Sequence, residues 1–267
     1  MKRFILKINM EIKPLRLSVS SIKKFNASKA QWVWKYIVWI DEFTWNVNTI
    51  MWSMFHKYIE TGKHWPAYKI LEDEKVSMND RNNILEWYWI ATKHYDYYSD
   101  KIEWINEYKI EFEYLWVPFL WFVDWTNAKV EEWKLVVTKD TIMRDWKCVS
   151  NFCDPQANRP NPWSWLNTYE EYELQAWLYM IGTWIRICEF PEFRKKTWKY
   201  SWTGKNRKEY SPDQWHKIIR FVNTRERFKK MEDKWNPIIN DIKETYDEYK
   251  HLIPLLKINE WSETQIK

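Results

Sequence analysis

Asp124, Glu132 and Lys134 are the residues whose types and spacing most directly suggest chemistry. If the chain turns about Ala128, Asp124 faces Glu132 across a hairpin, with Cβ atoms about 4.5–5.5 Å apart. Side chains alternate along a strand, so Lys134 shares that face while Glu131 and Trp133 point away. Two carboxylates with an ammonium beside them suit a hard cation, Mg²⁺ or Mn²⁺, which keeps several waters and accepts a phosphate oxygen. An exposed hairpin with ordinary cross-strand charge pairing uses the same residue types, so the triplet stays open between these readings. Gln175 and Tyr179, four apart, share one helix face and are suited to bonding a nucleic-acid backbone or bracing a site. Between Arg194 and Lys208 lie Arg194, Lys195, Lys196, Lys199, Lys205, Arg207 and Lys208 with no acidic residue, a composition of either a phosphate-tracking loop or a solvated one.

The elements that must position these residues are legible from periodicity. Leu15 to Ile22 reads as a short strand entering a helix capped by Ser18 or Ser20. Met51, Phe55, Tyr58 and Ile59 recur at helical spacing and place His56 on the flank of an apolar stripe, with Trp52 one turn earlier. A second helix is predicted over 79–98. From 109 to 138 the period changes to two, which predicts a three-stranded antiparallel meander. A polar stretch to about 167 precedes a helix from Thr168 with capping-box form and a strand at 184–190. Strand, crossover helix and strand make a βαβ unit, so the expected class is α/β with a mixed central sheet flanked by helices. Residues 211–256 read as two helices separated near Pro237, giving domains of 1–210 and a helical C-terminal appendage of 211–267.

Composition narrows the class. The formal net charge of +5 permits a polyanionic partner without requiring one. No apolar run approaches the roughly 18 residues of a membrane span, so a cytoplasmic protein with no membrane partner is expected. Cys148, Cys153 and Cys188 are too few for a disulfide framework. The 3 glycines and 23 tryptophans are the anomaly, because average usage of about 7% predicts roughly 19 glycines in such a chain. Many tryptophans stand where turns want glycine, as in Asp124-Trp125-Thr126-Asn127 and Asn161-Pro162-Trp163-Ser164-Trp165. The counts suggest a lineage that reads UGA as glycine; a Trp-rich binding module is the alternative.

With Trp52 and Trp121 read as glycine, the chain contains G-S-M-F-H at 52–56, G-F-V-D at 121–124, E-x-K at 132–134 and Q-A-x-L-Y at 175–179. In that order, after the opening L-S-V-S-S-I-K-K-F, these resemble the motifs of RecB-like nucleases in the PD-(D/E)xK superfamily, over roughly residues 15–190. The resemblance implies a Mg²⁺- or Mn²⁺-dependent deoxyribonuclease, an exonuclease of recombination, repair or phage DNA processing, with DNA as partner. It implies that Asp124, Glu132 and the backbone carbonyl of Trp133 hold the metal, that His56 adds a ligand or tunes the metal, and that Lys134 orients the attacking water and stabilises the developing charge. A register using Lys139 puts Val137 at the carboxylate position and would instead mean a catalytically inactive DNA-binding relative. The cysteines do not match the family's iron-sulfur pattern, so no cluster is expected.

Overall fold

The computed structural model describes residues 15–37, 46–74, 76–98, 105–132, 134–156, 166–196, 198–200 and 207–250. Instead of a full strand, the opening segment makes a single parallel bridge from Leu17 to Phe119. The Ser18 side chain then accepts from Ser21 N–H and starts α1 (Val19–Ala27). Helix α2 (Lys29–Trp32) runs into a π turn. Helices α3 (Val47–Thr61), α4 (His64–Asp73) and α5 (Met78–Tyr98) pack on one another through Met51, Met54, Phe55, Leu71, Ile84 and Tyr88. Asn46 caps α3 by accepting from the Asn48 and Thr49 N–H groups, which fixes the start of the helix that carries His56.

Strands β1 (Ile105–Tyr114) and β2 (Val117–Thr126) pair antiparallel around the two-residue turn Leu115–Trp116. Val117, Phe119, Trp121 and Val123 point into the core, as the period of two requires. The third strand of the expected meander is not where the periodicity put it. The chain leaves the sheet after Thr126 and forms a separate small hairpin, β3 (Lys129–Glu131) and β4 (Lys134–Val136). It rejoins at β5 (Ile142–Arg144), which pairs with β2. Strand β6 (Lys147–Val149), helix α6 (Thr168–Thr183) and strand β7 (Ile187–Arg194) complete the predicted crossover, with β5 and β6 both parallel to β7. The capping box of α6 lies one residue earlier than the sequence suggested, between Asn167 and Glu170. A short pair, β8 (Trp198–Tyr200) and β9 (Arg207–Glu209), stands apart.

The class is the mixed α/β one expected, with sheet order β1-β2-β5-β7-β10 and β6 also on β7. Its C-terminal part differs from the expectation of two helices. Strand β10 (His216–Val222) pairs antiparallel with β7, and the alternate residues Ile219 and Phe221 are buried. One helix, α7 (Arg225–Tyr249), then runs through Pro237. Pro237 removes one backbone donor, and the stripe Met231, Trp235, Ile239 and Ile242, buried against the main core, holds the helix together across that gap. Residues beyond 210 therefore supply both a strand and a wall of the central core. No helix among the described residues is long and apolar enough to cross a membrane.

His94 of α5 gives this core a pH dependence. Its ring is fully buried, stacks on Trp215 at 4.6 Å, and donates from Nδ1 to the Arg194 carbonyl at 2.7 Å, leaving Nε2 without a partner. Burial is the main reason its pKa falls to about 4. The unfolded chain takes up the proton first, so this stability is intact above pH 6.5 and is lost as pH falls toward 4. A loss on the order of 1–2 kcal/mol at pH 5 is expected. Thermal unfolding at pH 7 and pH 5 checks this, because a His94→Asn variant should show a smaller pH difference than the parent.

Candidate metal centre

The centre forms where the sheet is interrupted. Registers 142↔187 and 147↔192 place residue 146 beside Pro191 of β7. Pro191 has no N–H to offer, and the ladder opens between β5 and β6. Trp146 turns both backbone groups elsewhere: its N–H donates to Asp124 Oδ2 at 2.9 Å, and its carbonyl accepts from His56 Nε2 at 3.1 Å. One interrupted strand thus ties β2, α3 and the Asp145–Lys147 segment together.

Asp124 and Asp145 are in direct side-chain contact. Burial, and then the charge of Asp145, hold the Asp124 carboxyl well above the ordinary carboxylate range. Burial works the same way on Asp145, but the Lys147 ammonium and the contact with Asp124 outweigh it and bring Asp145 below its usual value. Lys147 Nζ is paired with Asp145 Oδ2 and donates to Gln175 Oε1 at 3.2 Å. Gln175 Nε2 reaches Asp145 Oδ2 and the Tyr179 hydroxyl, and that hydroxyl donates to the Phe122 carbonyl at 3.2 Å. His56 Nδ1 lies 3.5 Å from Asp124 Oδ2, and burial first of all pushes the ring's pKa down to about 4. A neutral ring that donates from Nε2 keeps a lone pair on Nδ1, facing Asp124.

This donor set fits a hard divalent cation. Two carboxylates that press on each other, Asp145 buried and Asp124 partly so, are relieved by a cation between them, and a neutral imidazole anchored through its other nitrogen is the usual form of a histidine ligand. Among the described residues no group of three His, Cys, Asp or Glu side chains forms a ready-made cage. Mg²⁺ does not require one, since one or two carboxylates with waters and phosphate oxygens complete its shell.

The structure brings together Asp124, His56, Gln175 and Tyr179, but not Glu132 and Lys134. Asp124 was expected opposite Glu132; the neighbour of its strand is instead β5, in register Trp125↔Arg144. Asn127 closes the base of the excursion by accepting from Ile142 N–H and donating to the Asp140 carbonyl. Glu131 pairs with Lys134 across the hairpin, and Glu132 turns the chain at φ 46°. Both Glu132 and Lys134 are exposed, while Trp133 lies outside the described residues. The pair that stands beside Asp124 instead is Asp145-x-Lys147, an acid-x-lysine segment separated from the apolar Ile142 and Met143 by Arg144.

Of the basic run, Arg194 donates to the Gln214 and Ser150 carbonyls, and Lys195 is buried against Asn48 and Trp87. Lys196 is half-buried; Lys199, Arg207 and Lys208 belong to the β8–β9 pair, and Lys205 lies outside the described residues.

No family model and no curated protein matches the chain. Among solved structures it is similar to a protein of Eubacterium rectale that carries an exonuclease assignment. The TM-score is 0.54 at 11% identity, over 87% of this chain and 82% of that one. Looser superpositions relate it to an alkaline exonuclease of Laribacter hongkongensis (TM-score 0.35, 8% identity, 94% of this chain and 95% of that one). The same holds for a phage-related exonuclease of Haemophilus somnus (0.37, 10%, 89% and 96%). The first likeness shows a shared fold.

Proposed function

We propose that the chain is a metal-dependent deoxyribonuclease of the PD-(D/E)xK kind, acting as an exonuclease on DNA. The observation that carries this reading is the convergence of Asp124, Asp145 and Lys147 at the sheet interruption, with Gln175 joining the last two. In this proposal Asp145 and Lys147 take the places that the sequence resemblance gave to Glu132 and Lys134. The exonuclease assignment of the Eubacterium rectale neighbour supports the choice of reaction.

Asp124 and Asp145 would hold Mg²⁺ or Mn²⁺, with His56 adding a ligand through Nδ1. When bound, the metal supplies charge neutralisation at the scissile phosphate and a more acidic water. The chain's own groups do the positioning. Lys147, held by Gln175, presents its ammonium beside the carboxylates, where it can orient a water and offset negative charge developing on phosphate oxygens. Tyr179 and Gln175 fix Asp145 from the helix side, and the Trp146 backbone fixes Asp124 and His56 from the strand side.

The test is digestion of end-labelled linear and closed circular DNA with Mg²⁺, with Mn²⁺ and with chelator. Loss of the linear form alone, stopped by chelator, is the expected result. Cutting of circles would replace the exonuclease by an endonuclease, and a folded protein that binds DNA without cutting it would be an inactive relative.

A further inference from the structure

Two residues of this chain end a helix in almost the same conformation. Gly62, after α3, has φ 63° and ψ 13° and donates its N–H to the Tyr58 carbonyl at 2.7 Å. Trp184, after α6, has φ 64° and ψ 8° and donates to the Met180 carbonyl at 2.9 Å. The left-handed region costs a side chain that bears Cβ and costs glycine nothing, so glycine is the ordinary residue there. The indole of Trp184 repays none of that cost, being 83% exposed. Trp116 repeats the pattern at φ 63° and 82% exposure, in the second place of the β1–β2 turn, the place most often held by glycine in such hairpins.

Trp52 is misplaced in a different way. Its ring lies 4.1 Å from that of His56, so an indole covers one face of the imidazole whose Nδ1 faces Asp124. Glycine at 52 would uncover that face without disturbing the buried stripe of α3, since Trp52 is itself exposed.

Other tryptophans are built into their surroundings. Trp32 is fully buried, donates from Nε1 to Ser21 Oγ at 2.9 Å and meets Phe25 edge-on. Trp215 donates to the Tyr210 carbonyl at 3.0 Å and stacks on His94.

We infer that positions 52, 116 and 184 carry glycine in the protein as its source cell makes it, encoded by UGA read as glycine, whereas Trp32 and Trp215 are genuine tryptophans. At 116 and 184 the inference is independent of the nuclease reading, because it rests on backbone conformation and exposure; at 52 it rests on that reading, because the argument there is access to the His56 ring.

Two measurements test it. The gene should have UGA at codons 52, 116 and 184 and UGG at 32 and 215, and peptides of the protein purified from its source should carry the glycine mass at the first three. UGG at any of those three, or native peptides with tryptophan there, overturns the inference. In recombinant protein, Trp116→Gly and Trp184→Gly should each raise Tm by about 2–4 °C, while Trp32→Gly lowers it. A fall in Tm for both turn variants also overturns it.

Discussion

An Asp145→Asn protein is expected to fold as well as the parent and to cleave DNA about 10³-fold more slowly or worse, because a metal-binding carboxylate is worth several kcal/mol to such a reaction. The substitution keeps the shape of a side chain enclosed by Lys147, Gln175 and Asp124 and removes only its charge. In the metal-free protein that charge is part of the problem, since it helps hold the Asp124 carboxyl far above its normal range. Activity and stability should therefore move apart: single-turnover cleavage collapses and Mn²⁺ affinity by calorimetry drops, while Tm stays level or rises. Glu132→Gln and Lys134→Ala, on the exposed hairpin, should change neither rate nor affinity. Full activity in Asp145→Asn, or its loss in Glu132→Gln, would return the centre to the hairpin residues and sink the assignment.

The contrast between these two sites shows what the sequence made legible. Asp124, His56, Gln175 and Tyr179 could be read because each lies on an element whose periodicity is strong, namely β2, α3 and α6. Their partner could not be read the same way. Periodicity reports which face a residue takes along one strand, but not which strand lies beside it. The 127–141 excursion moves the true neighbour of Asp124 some twenty positions downstream, and β5 and β6 are three residues each, too short to show a period. Pro191 was a local clue, because a proline in a central strand marks a place where the ladder must open. The strand β10 had its own signal in the alternation around Ile219 and Phe221, and was obscured by the helical pattern that follows it.

Removing the carboxylate of Glu189 is expected to be strongly destabilising although it lies outside the centre. Glu189 is fully buried on β7 and stands directly opposite Arg144 of β5 on one side and Arg220 of β10 on the other. It accepts from Arg144 Nε at 2.6 Å and from Arg220 Nε at 2.7 Å, so one carboxylate ties three adjacent strands. The Arg144 guanidinium also lies over the Trp125 ring at 4.5 Å, where little water reaches it. Glu189→Ala leaves that guanidinium enclosed without its anion, a loss of about 3 kcal/mol, at the lower end of values for broken buried pairs because Arg220 can turn to solvent. For a chain of this size that is a fall in Tm of roughly 6–12 °C, readable by calorimetry. The triple change Arg144→Met, Glu189→Leu, Arg220→Leu should recover much of the loss, because the cost lies in the enclosed charge that has lost this carboxylate and not in the missing attraction. The recovery should not extend to catalysis. Asp145 follows Arg144 and donates its N–H to the Glu189 carbonyl at 3.0 Å, so a strand repacked with apolar side chains sets the Asp145 carboxylate, the proposed metal ligand, differently. A triple variant with parental Tm and parental cleavage rate would mean that the ion triad positions nothing, and a Glu189→Ala variant with unchanged Tm would mean that Arg144 is not enclosed as described.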